Sequence, residues 1–236
     1  MVSTAGRFRR RSPGVEFLVP AAILLVGWNG AAQPTRNERP LREFVCRQYG
    51  DSGAVPFIEA RLLSDTSSLV VILQDKSMKE CWYNAAMTLG AGGSAAAVQY
   101  LIQFITKGQS QLDQPEFDAK SGAILALGWA ANVMNRTDAG RGRQAAIDFL
   151  IAATLNDGRN PWNSIRWSSA SYKSQVEVRA YLTSRTIQAL GLSGSAEALR
   201  ALQSSSYCVS PRGIAACLEA SSLNIRTRKG LGDLYK

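Results

Sequence analysis

Between residues 78 and 107 apolar side chains recur at helical spacing in two runs, separated by the small residues of 91–94. The first run places Trp82, Ala85, Ala86 and Leu89 on one face, and the second aligns Val98, Leu101, Ile102 and Ile105. The pattern predicts a helical hairpin. One hairpin cannot bury two apolar stripes alone, so it needs neighbours of its own kind. A second hairpin follows: a helix over 119–134 carrying Gly122, Ala123, Ile124, Ala126 and Leu127, a loop at 135–142, and a return helix over 144–155. A third runs over 176–190, turns at 191–195 and returns over 196–202. Shorter helices are predicted at 41–49, at 55–63 with Pro56 in the first turn, and after Pro211 up to residue 223. The run 69–74 is β-branched at Val70, Val71 and Ile72, but a lone strand would have no partner in so helical a chain, so it reads as a helix.

Three segments share one signature: Asn84-Ala-Ala-Met-Thr-Leu-Gly, Gly122-Ala-Ile-Leu-Ala-Leu-Gly and Arg185-Thr-Ile-Gln-Ala-Leu-Gly. They resemble HEAT-like repeats of the short type, in which an Ala-rich helix ends at Leu-Gly and a Val/Leu-rich helix returns. The resemblance implies an all-α fold, a short α-solenoid of HEAT-like helical hairpins with irregular end helices. It also implies an interaction scaffold that presents helix faces to a protein partner. Some members of the wider class resemble bilin lyases, an activity that an export signal argues against. The spacing departs from a regular repeat, since Leu89 and Leu127 are 38 residues apart and Leu127 and Leu190 are 63 apart. An irregular helical bundle is therefore the alternative architecture.

The chain has 236 residues, of which 46% are apolar, enough for a packed core in one or two domains and too many for wholesale disorder. Its start follows a separate logic. Arg7, Arg9, Arg10 and Arg11 precede an apolar run over 17–28, and Gly30-Ala31-Ala32 supplies small residues for cleavage. Residues 1–32 thus read as a secretory signal peptide cut after Ala32, with an uncleaved N-terminal anchor as the alternative. The remaining division is a polar linker and short helix over 33–50, a repeat domain over 51–223 and a basic tail over 224–236. The expected location is secreted or periplasmic, with membrane contact only if the N-terminal segment stays. Without that segment the net charge falls from +9 to +6. This balance allows an anionic surface or polysaccharide as partner, while the lack of a dense basic run disfavours nucleic acid.

The chain contains no histidine, which removes Ser-His-Asp and Cys-His catalysis and histidine metal ligation. Its four cysteines hold no Cys-x-x-Cys pair. In an exported chain they are compatible with two disulfides, Cys208 with Cys217 across the turn at Pro211 and Cys46 with Cys81 as the remainder; four buried thiols are the other reading. Carboxylate pairs such as Glu116 with Asp118, or Asp148 with Asp157, could serve as acid and base, but helix N-termini and solvated faces collect acidic residues anyway. Asn135-Arg136-Thr137 fits a glycosylation sequon. The segment 156–172 breaks the helical pattern and alternates Trp162, Trp167 and Tyr172 with Arg159 and Arg166. Aromatic faces beside guanidinium groups suit sugar rings, peptides or anionic headgroups. The same tryptophans could instead tuck back over the end of the stack. The chain is expected to bind a protein partner without catalysis, cofactor or metal. An envelope enzyme or accessory subunit acting on polysaccharide through paired carboxylates is the alternative.

Overall fold

The structure is a computed structural model that describes residues 41–47, 66–107, 112–134, 140–155, 157–167, 171, 174–211 and 213–228. The signal segment 1–32, the linker 33–40, the helix expected at 55–63, the sequon at 135–137 and Tyr172 lie outside them. Among the described residues there are nine α-helices and no strand, as the apolar periodicity predicts. They are α1 (Leu41–Val45), α2 (Thr66–Gln74), α3 (Trp82–Gly92), α4 (Ala95–Thr106), α5 (Gln114–Met134), α6 (Gly140–Ala152), α7 (Gln175–Leu192), α8 (Ala196–Ser204) and α9 (Ile214–Thr227). Short 3-10 helices occupy Lys76–Cys81 and Pro161–Asn163. The β-branched run at 69–74 is helical, as part of α2.

Helix α3 packs on α5, α5 on α7 and α7 on α9, while α4 packs on α6 and α6 meets α8. Two rows of helices result, and each hairpin contributes one helix to each row. Hairpins one and three turn by the same chemistry. Gly93 and Gly194 adopt φ of 61° and 62°, a left-handed conformation that costs glycine little. The serine after each caps the return helix: Ser94 Oγ accepts from Ala97 N, and Ser195 Oγ accepts from Glu197 N and Ala198 N. Helix α5 touches α3, α4, α6 and α7, and it is buried on nearly every side.

The Leu-Gly pairs do not end helices, contrary to the expectation. Gly90, Gly128 and Gly191 lie within α3, α5 and α7, at the points where consecutive helices of the first row meet. A β-carbon at any of them would lie under 3.0 Å from a backbone carbonyl oxygen of the next helix, that of Ala126, Ala189 or Ala220 respectively. Glycine is present there for close approach of backbones. The last helix also runs further than expected, to Thr227. Asn224 and Thr227 are fully buried, and Asn224 Nδ2 donates to Leu190 O and Ser195 O, so the tail does not begin at residue 224.

Cys46 pairs with Cys81 (Cα–Cα 4.4 Å) and Cys208 with Cys217 (5.5 Å), the two candidate disulfides rather than four buried thiols. Two disulfides fit an oxidising compartment. Among the described residues no helix is long and apolar enough to cross a membrane.

Candidate functional site

The loop singled out by its aromatics turns them inward. Asn160 caps the short helix Pro161–Asn163 by accepting from Trp162 N, and its Nδ2 donates to Ala153 O and Leu155 O at the end of α6. This fastening drives Trp162 edge-on against Phe149 of α6 (5.9 Å between centroids) and leaves it 1% exposed. Trp167 stands edge-on to Phe117 of α5 (6.0 Å) and is 2% exposed. The two cations point the other way. Arg159 is exposed and paired with Asp157 (2.7 Å), whose carboxyl is held below its usual value by that guanidinium. Arg166 is exposed and donates from Nη1 to Asn163 O (2.6 Å). Among the described residues of the loop no aromatic face meets a guanidinium, and the platform expected from Arg159, Trp162, Arg166 and Trp167 does not form, because both tryptophans are buried while both arginines are exposed.

Beneath Trp167 lies Lys120 of α5, which is 2% exposed. Its Nζ donates to Phe104 O (2.5 Å) and to Lys107 O, satisfying carbonyls left open at the end of α4. The rings of Phe104 and Trp167 sit 4.8 and 5.5 Å from the ammonium, and Glu116 approaches to 4.0 Å. Burial dominates over Glu116 and lowers the lysine pKa to about 8.

A cleft of about 330 Å³ opens instead across the first row. Lys79, Glu80 and Tyr83 come from the entry and first turn of α3, Pro115, Asp118 and Ser121 from α5, and Tyr181 and Arg185 from α7. Asp113 caps α5 by accepting from Glu116 N, and Pro115 fits the first turn, which fixes Asp118 and Ser121 one turn further along. Gly122 leaves room for the Tyr83 ring, since a β-carbon there would come within 2.7 Å of it. Desolvation raises the pKa of Tyr83. Tyr181 stacks on Phe117 (5.6 Å), meets Ser121 Oγ at 3.3 Å and accepts from Arg185 Nε (3.0 Å). Gln188 accepts from Arg185 Nη1, and Gln114 Nε2 donates to Asp118. At the rim Lys79 reaches Asp113 (2.5 Å) and Glu116 (3.4 Å). The hydrogen bond to Asp113 raises the lysine pKa, and the same contact lowers that of the aspartate.

The cleft thus holds donors, acceptors and two phenol rings in fixed positions. The carboxylates considered as acid and base do not pair: Asp118 binds Gln114, Asp148 binds Gln144, Asp157 binds Arg159, and Glu116 faces Lys79 and Lys120. Among the described residues no group of three or more His, Cys, Asp or Glu could hold a metal ion. Comparison with known proteins found no matching family model, no similar curated protein and no similar solved structure. Sequence reasoning missed the cleft because its residues come from three separate, ordinary helical segments. The only local signals were the cap at Asp113-Gln-Pro and the Gly122 that accommodates Tyr83.

Proposed function

We propose that this chain is an exported, non-catalytic scaffold of short HEAT-like hairpins that holds an extended peptide segment of a protein partner on the first-row cleft. The two observed rows, with each hairpin feeding both, support the reading as a short α-solenoid. The disulfides support export, together with the basic head and apolar run before Ala32. One observation carries the binding assignment: three consecutive helices of one row supply Tyr83, Asp118, Ser121, Tyr181 and Arg185 to a single cleft. An extended peptide offers alternating amide donors and acceptors, which such a mixed surface matches, and tyrosine and arginine are both among the residue types enriched at energetic centres of interfaces. The polysaccharide alternative is weakened, since Trp162 and Trp167 are buried and offer no face to a sugar ring.

Panning a displayed random-peptide library on the immobilised, oxidised chain tests this. Peptides enriched on the wild type should bind the Tyr181→Ser/Arg185→Glu variant at least about tenfold more weakly, a loss of about 1.4 kcal/mol. They should bind an Arg159→Glu variant unchanged. Enriched peptides indifferent to the cleft substitutions overturn the assignment, as does the absence of any enrichment.

A further inference from the structure

Lys79 and Arg185 are the cations that line the first-row cleft. Lys79 is held by Asp113 and Glu116, whereas no carboxylate of the described residues pairs with Arg185. The half-buried guanidinium is nevertheless fixed in place. Its Nε donates to the Tyr181 hydroxyl (3.0 Å), which donates to Ser121 Oγ (3.3 Å), which in turn donates to Asp118 O in α5 (2.8 Å). Nη1 donates to Gln188 (3.2 Å), and the guanidinium carbon lies 5.2 Å from the centre of the Tyr181 ring. Both hydroxyls in this relay direct their protons toward α5, so neither has one left for a ligand. Among the described residues two donors of the cleft stay open, Arg185 Nη2 and the Tyr83 hydroxyl. They belong to one corner: the Tyr83 ring lies against Gly122, next to Ser121, and the charge of Arg185 acts on its hydroxyl. Burial raises the pKa of that phenol, so it keeps its proton and donates. Asp118 accepts from Gln114 through Oδ1 and leaves Oδ2 open.

We propose that the cleft selects peptides by a carboxylate, which seats on Arg185 Nη2 and the Tyr83 hydroxyl while Asp118 Oδ2 accepts a neighbouring N–H of the same peptide. This rests on the reading of the cleft as a peptide site and adds what the peptide must carry. A guanidinium edge matches the two oxygens of a carboxylate, and charge-assisted bonds of this kind are the stronger ones. Because Tyr181 and Gln188 already hold Arg185, binding orders no long side chain, which removes a usual entropic cost. The charge balance favours a single negative charge. Glu80 and Asp118 line the same cleft and Lys79 is already engaged, so a dianion such as phosphate meets like charges and no second open cation. The carboxylate has two sources, a chain end or an Asp or Glu side chain, and both offer the same pair of oxygens.

Two displayed peptide libraries, one with a free C-terminus and one fused at both ends, are panned on the full oxidised chain. Enrichment confined to the free-ended library assigns a chain end, and enrichment of Asp or Glu at one position of the fused library assigns a side chain; either supports the proposal. The most enriched peptide is then synthesised with that carboxylate intact and as its amide. The wild type should bind the amide at least about tenfold more weakly. Arg185→Gln, folded by circular dichroism, should bind both forms alike, which closes a double-mutant cycle on the pair. Tyr83→Phe keeps the ring against Gly122 and removes only the hydroxyl, so it should lose about threefold for the carboxylate form and little for the amide. Cleft-dependent peptides that need no carboxylate, or bind equally as the amide, overturn this inference and leave the peptide reading standing. A tenfold amide penalty that persists in both Arg185→Gln and Tyr83→Phe also overturns it, since the carboxylate then seats elsewhere. Absence of enrichment, or peptides indifferent to Tyr181→Ser/Arg185→Glu, overturns both.

Discussion

Burying the Lys120 ammonium costs free energy that two carbonyl acceptors and the rings of Phe104 and Trp167 only partly offset, which is why its pKa falls to about 8. The sign of the pH dependence follows. The folded-state value lies below the 10.5 of an ordinary lysine, so the native state gives up the proton first, and stability rises with pH between about 8 and 10.5. Below about 8 the folded protein carries the full burial cost. Urea midpoints of the wild type should therefore climb relative to those of Lys120→Met between pH 7.5 and 10. A constant difference between the two proteins across that interval would mean that Lys120 is not titrating from a buried charged state. The loop tryptophans belong at the same scale. Trp162 packs on Phe149 at 1% exposure, and Trp162→Ala should cost about 3–5 kcal/mol in urea unfolding. Exposed Arg159, next to Asn160 and three residues before Trp162, should give an unchanged midpoint as alanine. Periodicity and composition mark both residues as unusual, yet they cannot say which one faces water. That depends on Asn160 fastening the loop to the end of α6.

Within the helices, glycine separates what was legible in the sequence from what was not. The hairpins were legible because their apolar stripes repeat every three to four residues, and turns one and three because Gly-Ser precedes a run of alanine and apolar residues. The turn between Cys208 and Cys217 made their pairing a candidate, with Cys46–Cys81 as the remainder, but spacing alone could not choose it over four buried thiols. The Leu-Gly signature was legible as a repeat and misread as a helix end. A glycine required for positive φ and a glycine required for close approach look alike in one sequence. Gly93 is the first kind, with φ of 61°, and Gly128 the second, with Ala189 of the next helix against it. The cleft was illegible for a related reason. Tyr83, Asp118 and Tyr181 each sit at unremarked helical positions, and only the stacking of α3, α5 and α7 brings them together. The distinction between glycines has a measurable consequence. Gly128→Ala forces a β-carbon against backbone and should lose about 2 kcal/mol or more, despite alanine's better helix propensity. Gly92→Ala adds its methyl to open space in the last turn of α3 and should gain about 0.5 kcal/mol. Equal effects of the two substitutions on the thermal midpoint would contradict the crossing role of Gly128.

Across the molecule, two rows with contacts chiefly between neighbours imply a gradient of stability from the centre outward. Helix α5 sits at the centre, touching four other long helices. Helix α1 sits at the edge with five residues, far fewer than a helix needs to persist alone in water. Two devices hold it. Asn84 Nδ2 donates to Val45 O (2.9 Å) and Arg47 O (2.7 Å), closing the C-terminal end of α1, and the Cys46–Cys81 disulfide ties that end to the entry of α3. In the loop-entropy account a bridge of sequence separation 35 stabilises by about 4 kcal/mol, and the Cys208–Cys217 bridge of separation 9 by about 2.5 kcal/mol. The first bridge therefore matters more to global stability, while its removal acts first on α1. In hydrogen exchange, a Cys46→Ala/Cys81→Ala chain should lose protection over residues 41–47 outright and keep slow exchange in α5, with a lower global unfolding free energy. Removing the second bridge by Cys208→Ala/Cys217→Ala should cost less globally and loosen the turn 205–213 ahead of α9. If α5 and α1 lost protection together when Cys46 and Cys81 were replaced, the rows would be one cooperative unit. The edge helix would then be a structural support of the whole stack.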